Sequence, residues 1–277
     1  MAQTPGVLHV VATPIGNLED LSARALATLR EAVAIYCEDT RVTGKLAARF
    51  GLSAPRYSCH EHNEMRRIPE ILGRLARGES IALVSDAGTP GLSDPGRHVV
   101  AAAAQAGFPV VGIPGPSASA LALSVSGLPG SPHHFEGFLP PRGADRRKRL
   151  EELAARTETL VFFEAPHRIG RFLQEAAAAM GSRSAVLCRE LTKLHEEVLR
   201  GTLPELAGRL ASSPGRGEYV VVVAGAPLST KSWSDADIDA AIARGAGRPP
   251  RELARELARE SGRPAREIYK LIVSLRQ

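Results

Sequence analysis

Three turns rich in glycine, proline and hydroxyl side chains contain the residues of this sequence best suited to binding a small ligand. They span residues 13–17, 85–96 and 113–118. Each turn follows a short apolar run and precedes a segment with helical spacing, and open α/β sheets bind ligands where such turns meet helix N-termini. Proline-rich turns that expose backbone N–H and C=O groups suit an adenosine-like ligand. Glycine and proline also form ordinary turns, so the prediction rests on three of them sharing one sheet.

Two side chains in these turns have specific expected roles. Asp86 can accept a hydrogen bond from a ribose hydroxyl or offset a cationic centre, and Ser117 is placed to cap a helix N-terminus. Two common nucleotide-binding signatures are missing. The sequence has no GxxxxGK[ST] run, because Gly44-Lys45 lacks the preceding glycine loop, and no GxGxxG follows the first apolar run. A P-loop and a Rossmann dinucleotide site are therefore not expected.

The elements around these turns alternate in a pattern typical of an α/β fold. Continuous apolar runs predict strands at residues 7–12, 33–37, 80–85 and 109–113, and helical spacing predicts helices at 22–33, 64–77 and 96–106. Apolar strands between helices indicate a parallel sheet covered on both faces. Gly, Pro and Ser are then frequent in residues 127–132, which predicts a linker.

The second half of the chain alternates less regularly, which indicates an α/β or α+β partner domain. Strands are predicted at residues 135–138, 160–164, 185–189 and 219–224, and helices at 145–156 and 168–180. Beyond residue 227, Ser234 and Asp237 form a capping-type helix start. Helices at 251–261 and 264–277 follow, and Ile268, Leu271, Ile272 and Leu275 form an apolar stripe. The predicted domains are residues 1–127, 128–227 and a helix-turn-helix-like tail, 228–277.

Composition narrows the class of protein. The chain has 277 residues and a formal net charge of +5, a moderate excess that either solubility or an anionic partner explains. Cys37, Cys59 and Cys188 are far apart and form no CxxC, which predicts reduced thiols rather than a disulfide framework or a zinc site. We find no secretory signal pattern and no run of about 18 apolar residues. A cytoplasmic protein without a membrane span is expected.

Six short motifs fall in order along the chain. They are Thr13-Pro14-Ile15-Gly16-Asn17, Glu38-Asp39-Thr40-Arg41, His60-Glu61-His62-Asn63, Ser85-Asp86-Ala87-Gly88-Thr89-Pro90, Glu136-Gly137-Phe138-Leu139-Pro140 and Arg189-Glu190-Leu191-Thr192-Lys193. Together they closely resemble the ribosomal RNA small subunit methyltransferase I family, a branch of the tetrapyrrole methylase superfamily. The resemblance covers nearly the whole chain, including the helical tail.

The resemblance implies a two-domain class III methyltransferase fold with a small C-terminal helical appendage. Members bind S-adenosylmethionine in a cleft between two α/β domains and usually form homodimers. This branch methylates the ribose 2′-oxygen of a cytidine in the decoding centre of 16S rRNA, within the small ribosomal subunit. Carried over by position, the cofactor-binding residues would be Pro14, Gly16, Asp86, Gly88, Thr89, Pro90, Ser117, Ala118, Phe163 and Leu191.

A ribose hydroxyl is a poor nucleophile near neutral pH, so its methylation needs a base or nearby cations. The candidates for this base follow the predicted strand ends, and they are Glu38, Asp39, His60, Glu61 and His62. Arg41 is a candidate for contact with a phosphate or an oxyanion, and Asn63 for orienting the nucleotide. Residues 38–40 can equally be a helix cap with Arg41 as its ion partner, and residues 60–63 a solvated loop. No HExxH spacing occurs, so no metal site is expected.

Two basic clusters are candidates for contact with rRNA phosphates. The first lies beside Pro140-Pro141 and comprises Arg146, Arg147, Lys148 and Arg149; the second, in the tail, comprises Arg263, Arg266 and Lys270. Charge runs are also common on solvated faces, and the tail contains acidic residues that can form intrahelical pairs. Phosphate contact is favoured by the helix-turn-helix pattern together with the resemblance.

Two other functions compete with rRNA methylation. A tetrapyrrole (precorrin-type) C-methyltransferase would share the cofactor cleft, but it predicts a roomy acceptor pocket and no basic tail. A non-catalytic ribosome-assembly factor retaining a cofactor pocket would bind the methyl donor without transferring the methyl group.

Overall fold

The computed structural model of the chain describes residues 4–211, 215–227 and 233–275. The chain divides into two compact units, Met1–Gly225 and Ala226–Gln277. The larger unit contains two five-stranded sheets and the smaller unit is helical. In the part of the chain so described, no helix is both long and apolar enough to cross a membrane.

The first sheet is entirely parallel, as the sequence pattern predicts. Its strand order is β3-β2-β4-β1-β5, and every neighbouring pair runs in the same direction. The strands are β1 (Leu8–Val11), β2 (Ile35–Cys37), β3 (Arg56–Ser58), β4 (Ile81–Val84) and β5 (Val110–Ile113). The connecting helices are α1 (Ala23–Glu31), α2 (Thr40–Phe50), α3 (Glu64–Ala76) and α4 (Arg97–Gln105).

Burial on both faces explains why the strands of this sheet read as continuous apolar runs. In β4, Ile81 and Leu83 face a core that includes Ile71 of α3 and Val99 of α4. The alternate residues of β4 face the opposite core, which includes Leu29 of α1. Side chains of a strand point alternately to the two faces, so a sheet covered on both sides requires apolar residues at every position.

The second sheet is mixed, with strand order β6-β7-β10-β8-β9. Only β6 and β7 are parallel, and the other pairs are antiparallel. Its strands are β6 (His133–Phe138), β7 (Thr159–Glu164), β8 (Ser184–Arg189), β9 (Glu197–Thr202) and β10 (Tyr219–Val223). The remaining helices of this unit are α5 (Ala118–Ser126), α6 (Gly143–Leu153), α7 (Ile169–Met180) and α8 (Leu203–Leu210).

Helix α5 packs on the second sheet although it follows the last strand of the first. Ala122 and Leu123 of α5 share a core with Ile15 and with the inward-facing Val161 and Val220 of β7 and β10. Helices α6, α7 and α8 cover the other face of the second sheet. The two sheets are therefore joined through a common apolar core rather than by the chain alone.

In its described residues, the smaller unit is a helical tail formed by α9 (Asp235–Arg244), α10 (Pro250–Ser261) and α11 (Ala265–Leu275). The predicted capping box is confirmed, because Ser234 and Asp237 exchange side-chain to backbone hydrogen bonds. Gly262 ends α10 with φ +71°. Of the predicted apolar stripe, Ile268 and Ile272 are buried, whereas Leu275 is 56% exposed. The stripe therefore ends one turn earlier than expected, and residues 276–277 lie outside the described residues.

A buried carboxylate fixes the start of α4. Glu64, the first residue of α3, is only 4% exposed. Its Oε1 accepts hydrogen bonds from the backbone N–H groups of Gly96, His98 and Val99 at 3.1, 2.8 and 3.1 Å. The N-cap of α4 is a glycine without a side chain, so Glu64 supplies the capping oxygen from another helix and complements the positive end of the helix dipole.

Replacement of this carboxylate tests its contribution to stability. Glu64→Ala leaves three buried or half-buried N–H groups without a charged acceptor, and we expect the free energy of unfolding to fall by about 2–4 kcal/mol. Glu64→Gln keeps an acceptor oxygen and should lose less. Urea denaturation measures both, with Glu61→Ala as the control because Glu61 is exposed. Equal stability of the Glu64 and Glu61 variants would contradict the capping role.

Candidate active site

The carboxyl ends of all five strands of the first sheet meet at one edge, because the sheet is parallel. The three turns predicted to bind a ligand follow β1, β4 and β5, which are neighbours in the strand order. Residues 38–41 follow β2 and residues 59–63 follow β3 at the same edge. The structure therefore brings all of the predicted strand-end segments to one side of the sheet.

Hydrogen bonds connect these three turns directly. Thr13 and Gly88 form an isolated antiparallel bridge, with N–H to O distances of 2.9 and 3.0 Å. The Thr13 hydroxyl donates to the Ser85 carbonyl at 3.1 Å, and the Thr89 hydroxyl donates to the Pro116 carbonyl at 3.2 Å. Thr13 is 3% exposed. These contacts make the turns a single rigid surface.

A cavity of about 330 Å³ lies between this surface and the ends of β7 and β10. We call it the apolar cavity, and its size is in the range of small-molecule sites. Its lining residues are Ile15, Ala87, Gly88, Leu92, Ser93, Asp94, Ser117, Ala118, Ser119, Phe138, Phe163, Glu164, Ala165, Pro166, Glu218, Tyr219 and Val220. Four predicted cofactor-binding residues are among them, namely Gly88, Ser117, Ala118 and Phe163.

Ser117 differs from its expected role at this cavity. It is the N-cap residue of α5, but its side chain makes no capping hydrogen bond. Its hydroxyl lies 3.1 Å from the hydroxyl of Ser119 instead. Both serines line the apolar cavity, so their hydroxyls are available to that cavity and do not cap the helix.

Gly16 and Leu191, also predicted to bind the cofactor, support the cavity from outside its lining. A Cβ on Gly16 would lie 2.4 Å from Lys193 Cγ and 2.8 Å from Thr192 Oγ1, so only glycine allows this approach. The Asn17 N–H donates to Thr192 Oγ1 at 3.1 Å. Leu191 is buried in the core that contains Ile15. Three further predicted residues, Pro14, Thr89 and Pro90, likewise lie in the turns without lining the cavity.

Asp86 lies in a second compartment, which we call the Asp86 pocket. Its lining residues are Glu38, Asp39, Thr40, Arg41, Ser58, His60 and Asp86. Asp86 Oδ1 accepts a hydrogen bond from the Asp39 N–H at 2.9 Å. Asp86, predicted to bind the cofactor, therefore lies beside the acid–base candidates and not in the lining of the apolar cavity.

A third compartment, the acidic groove, borders the other two. Its lining residues are Glu38, Glu61, Glu64, Met65, Ser93, Asp94, Pro95, Arg97 and His98. Ser93 and Asp94 also line the apolar cavity, and Glu38 also lines the Asp86 pocket. The three compartments therefore adjoin one another along the strand-end edge, and we refer to them together as the cleft.

Asp39 and Arg41 form the helix cap that was the alternative interpretation of this motif. Asp39 is the N-cap of α2 and accepts from the Arg41 N–H at 2.8 Å, and Arg41 Nη2 lies 2.6 Å from Asp39 Oδ2. Hydrogen bonds from Arg41 lower the pKa of Asp39 to about 2. A carboxylate that is so weakly basic is a poor proton acceptor, so Asp39 is unsuited to act as the base.

Both polar atoms of the Asn63 side chain form hydrogen bonds within its own loop. Its Oδ1 accepts from the His60 N–H at 2.8 Å, and its Nδ2 donates to the Ser58 carbonyl at 3.3 Å. His62 packs edge-on against His60, with ring centroids 5.9 Å apart. His60 lines the Asp86 pocket and Glu61 the acidic groove. The motif therefore positions His60 and Glu61 in the cleft, while Asn63 shapes the turn.

Three carboxyl groups along the cleft have raised pKa values. Burial is the largest cause for Glu38, with a further contribution from the charge of Asp86. Burial also raises the pKa of Asp86. The pKa of Asp94 rises to about 6 because of burial and then the nearby charge of Glu38. Asp94 lies in the turn at residues 85–96 that the sequence predicts to bind a ligand, but the sequence alone assigned it no role. The available signal was that this turn contains a second aspartate besides Asp86.

The first basic cluster is only partly available to RNA. Arg146 is 2% exposed, and its guanidinium donates to Glu175 and, at 3.1 Å, to the Pro141 carbonyl. Arg149 is paired with Glu136 at 2.6 Å. The prediction of RNA contact is therefore wrong for Arg146, because its side chain is buried in an ion pair with Glu175. The guanidinium of Arg149 already forms an ion pair with Glu136. Exposed side chains in this cluster include Arg147 and Lys148.

The tail cluster divides in the same way. Arg263 Nη1 lies 2.7 Å from Asp235 Oδ1, and its Nη2 donates to the Trp233 carbonyl at 3.2 Å. Arg263 thus ties the turn between α10 and α11 to the start of α9. Arg266 and Lys270 are exposed on one face of α11, four residues apart and hence one helical turn from each other.

The sequence matches the family described as Tetrapyrrole (Corrin/Porphyrin) Methylases over residues 7–207. Ribosomal RNA small subunit methyltransferase I of Xylella fastidiosa is 53% identical over 226 residues, covering 80% of this chain and 83% of that protein. The protein of the same name from Synechocystis sp. is 42% identical over 276 residues, covering 98% of each chain.

Solved structures support the fold. The structure of uroporphyrin-III-C-methyltransferase from Thermus thermophilus aligns with a TM-score of 0.56 at 22% identity, covering 78% of this chain and 94% of that one. Diphthine synthase aligns with a TM-score of 0.58 at 19% identity, covering 79% and 89%. The chain has the two-domain tetrapyrrole methylase fold with a helical C-terminal region, and its sequence identities show that it belongs to the ribosomal RNA small subunit methyltransferase I family.

Proposed function

We propose that this protein transfers a methyl group from S-adenosylmethionine to the ribose 2′-oxygen of a cytidine in the decoding centre of 16S rRNA. The observation that carries the proposal is that the apolar cavity adjoins the acidic groove, since Ser93 and Asp94 line both. A mainly apolar compartment beside a more polar one suits a small methyl donor next to a polar acceptor. The family relatives, named for small-subunit rRNA methylation, support rRNA as that acceptor.

The residues of the apolar cavity fit a methyl donor with an adenosyl group. Ile15, Phe163 and Val220 offer apolar walls to a base, and Ser117 and Ser119 offer hydroxyls to a ribose or an amino-acid moiety. Carboxylates that line the cavity favour a cationic ligand. When bound, S-adenosylmethionine would supply a methyl group already activated by its sulfonium, so the protein's task is alignment and deprotonation of the acceptor.

Exposed apolar side chains at the mouth of the cavity suit an unstacked nucleotide. Phe138 is 56% exposed, and its ring meets the ring of Phe163 edge-on at 5.6 Å. Leu92 is 46% exposed and lines the same cavity. Sequence-specific RNA recognition commonly stacks a splayed base on an aromatic ring. These two side chains therefore support a single RNA nucleotide, rather than a duplex, as the acceptor.

Labelled S-adenosylmethionine tests the proposal on small ribosomal subunits that lack the modification and on the corresponding naked 16S rRNA. We expect label in a cytidine whose 3′ phosphodiester becomes resistant to alkali, because methylation removes the 2′-hydroxyl that attacks this bond. Subunits already modified should accept no further label at that position. Label on a base, or no label on either substrate, would refute ribose methylation.

Filling the apolar cavity should weaken binding of the methyl donor. Ala118 lines the cavity, whereas Ala120 in the same first turn of α5 is exposed. Ala118→Leu places three additional carbon atoms in the binding space, and overlap of this kind costs about 1–3 kcal/mol. Calorimetry should then show S-adenosylmethionine binding roughly 5- to 150-fold more weakly. Ala120→Leu adds the same atoms to the surface and should bind the donor normally; equal affinities would place the donor elsewhere.

The exposed basic face of α11 predicts a contribution to RNA binding. Arg266→Ala combined with Lys270→Ala should weaken rRNA binding and reduce the slope of log affinity against log salt by about 1.4–1.8, as expected for two phosphate contacts. Electrophoretic or fluorescence titrations at several salt concentrations measure both quantities. Arg24→Ala with Arg209→Ala removes two exposed charges from the larger unit and serves as the control. The same slope in both double variants would remove the tail from the RNA-binding surface.

A further inference from the structure

Asp94 is a carboxylate at the boundary between the apolar cavity and the acidic groove. It lines both compartments together with its neighbour Ser93. It forms no ion pair with another residue of the described ranges. By contrast, the other carboxylates of the apolar cavity are paired, Glu164 with Arg168 at 3.0 Å and Glu218 with Lys193 at 3.0 Å. Asp94 accepts a hydrogen bond from the Ser85 hydroxyl, but among the carboxylates lining this cavity it is the one without a cationic partner in the described ranges.

The loop that carries Asp94 is held in a fixed conformation. Ser93 has φ +63°, an uncommon value for a residue with a side chain. A Cβ on Gly137 would lie 2.6 Å from Ser93 Oγ, so β6 of the second sheet approaches this loop closely. On the other side, Glu64 binds the N–H of Gly96 at 3.1 Å. Non-glycine residues in left-handed conformations are frequent at functional sites, where the surrounding structure enforces them.

The remaining acid–base candidates are less well placed to act at the apolar cavity. Asp39 is held by Arg41 in the Asp86 pocket. Glu38 and Glu61 line the acidic groove but not the apolar cavity. His60 lies in the Asp86 pocket. A base must reach a proton that leaves at the site of methyl transfer, and Asp94 is the candidate that borders both compartments.

Building on the proposed function, we propose that Asp94 is the catalytic base that accepts the proton of the acceptor ribose hydroxyl at the junction of the two compartments. The proton passes from the 2′-oxygen to a carboxylate oxygen of Asp94, and an electron pair of the 2′-oxygen forms the bond to the methyl carbon. The carbon–sulfur bond breaks with its electrons remaining on sulfur, which becomes a neutral thioether. Asp94 afterwards releases the proton to water.

The charge environment of Asp94 suits this task. Burial is the largest cause of its raised pKa, about 6, and the charges of Glu38 and Asp86 raise it further, whereas Ser85 lowers it. The other charged or titratable groups lining the two compartments are Glu61, Glu64, Arg97, His98, Glu164, Glu218 and Tyr219. A carboxylate with a pKa near 6 is ionised at neutral pH yet more basic than an ordinary aspartate. A bound sulfonium nearby would lower this value.

The sign of the pH dependence follows from the role as a base. Only ionised Asp94 can accept the proton, so single-turnover methylation by the wild-type protein should be constant near pH 7–8. It should fall as the pH drops through about 6 or somewhat below, and reach a slope of about tenfold per pH unit on the acid side.

Asp94→Asn tests the proposal because it preserves shape and removes the basic oxygen. We expect single-turnover methylation to fall by about 10²–10⁴-fold and to lose its acid limb. Calorimetric dissociation constants for S-adenosylhomocysteine, and titrations with rRNA, should stay within about twofold of the wild-type values, since neither measurement requires proton transfer. Asp94→Glu restores a carboxylate and should recover part of the rate, and Asp20→Asn, an exposed aspartate, is the matched control.

Three outcomes separate this inference from the proposed function. If the wild-type protein methylates neither small subunits nor rRNA, the proposed function fails and the inference fails with it. If the wild-type protein is active and Asp94→Asn is equally active, only the role of Asp94 is overturned. If Asp94→Asn binds S-adenosylmethionine more weakly but keeps the wild-type rate at saturation, Asp94 is a counter-ion of the donor and not the base.

Discussion

The parallel pairing of the first sheet is the constraint on which the rest of the structure depends. Parallel pairing brings every strand's carboxyl end to one edge, so residues far apart in sequence become neighbours there. The Thr13–Gly88 bridge then turns this adjacency into a fixed surface by joining the segments after β1 and β4. Because the bridge uses backbone groups, it leaves side chains of the two turns such as Ile15 and Asp86 to line the cleft. An antiparallel sheet would have divided these turns between two opposite edges.

The second constraint is the position of α5 on the neighbouring sheet. Buried side chains of α5 (Ala122 and Leu123) and of the turn after β1 (Ile15) pack against β7 and β10. The helix that follows the last strand of the first sheet therefore belongs to the core of the second sheet. This packing sets the opposite wall of the apolar cavity, including Phe163 and Val220. Burial of these apolar surfaces strengthens the larger unit and shapes the cavity at the same time. The shape of the apolar cavity thus depends on the packing of α5, which follows the first sheet, against the second sheet.

The sequence predicted the strands with continuous apolar runs and the turns that end them, since both signals are local. It did not predict β3, β9 and α8, whose periodic patterns are short or interrupted by polar residues, and it offered the start of α2 only as an alternative. The error at Arg146 has a different cause. Its partner Glu175 lies 29 positions along the chain, so a run of basic residues gave no sign that one member was buried. Asp94 was missed for the same reason, because its neighbourhood is assembled from segments that lie far apart in the sequence.

Environment also distinguishes carboxyl groups that look alike in the sequence. Asp39 and Asp94 both follow strands of one sheet, yet the guanidinium of Arg41 lowers the pKa of one to about 2 and burial raises the other to about 6. Titratable groups whose environments drive their pKa values apart commonly divide structural and catalytic roles. Here the strongly acidic member caps a helix, and the more basic member lies where the two compartments meet. The difference between the two pKa values follows from the burial and the charged neighbours that the fold gives each carboxyl group. The residue type alone does not determine either of them.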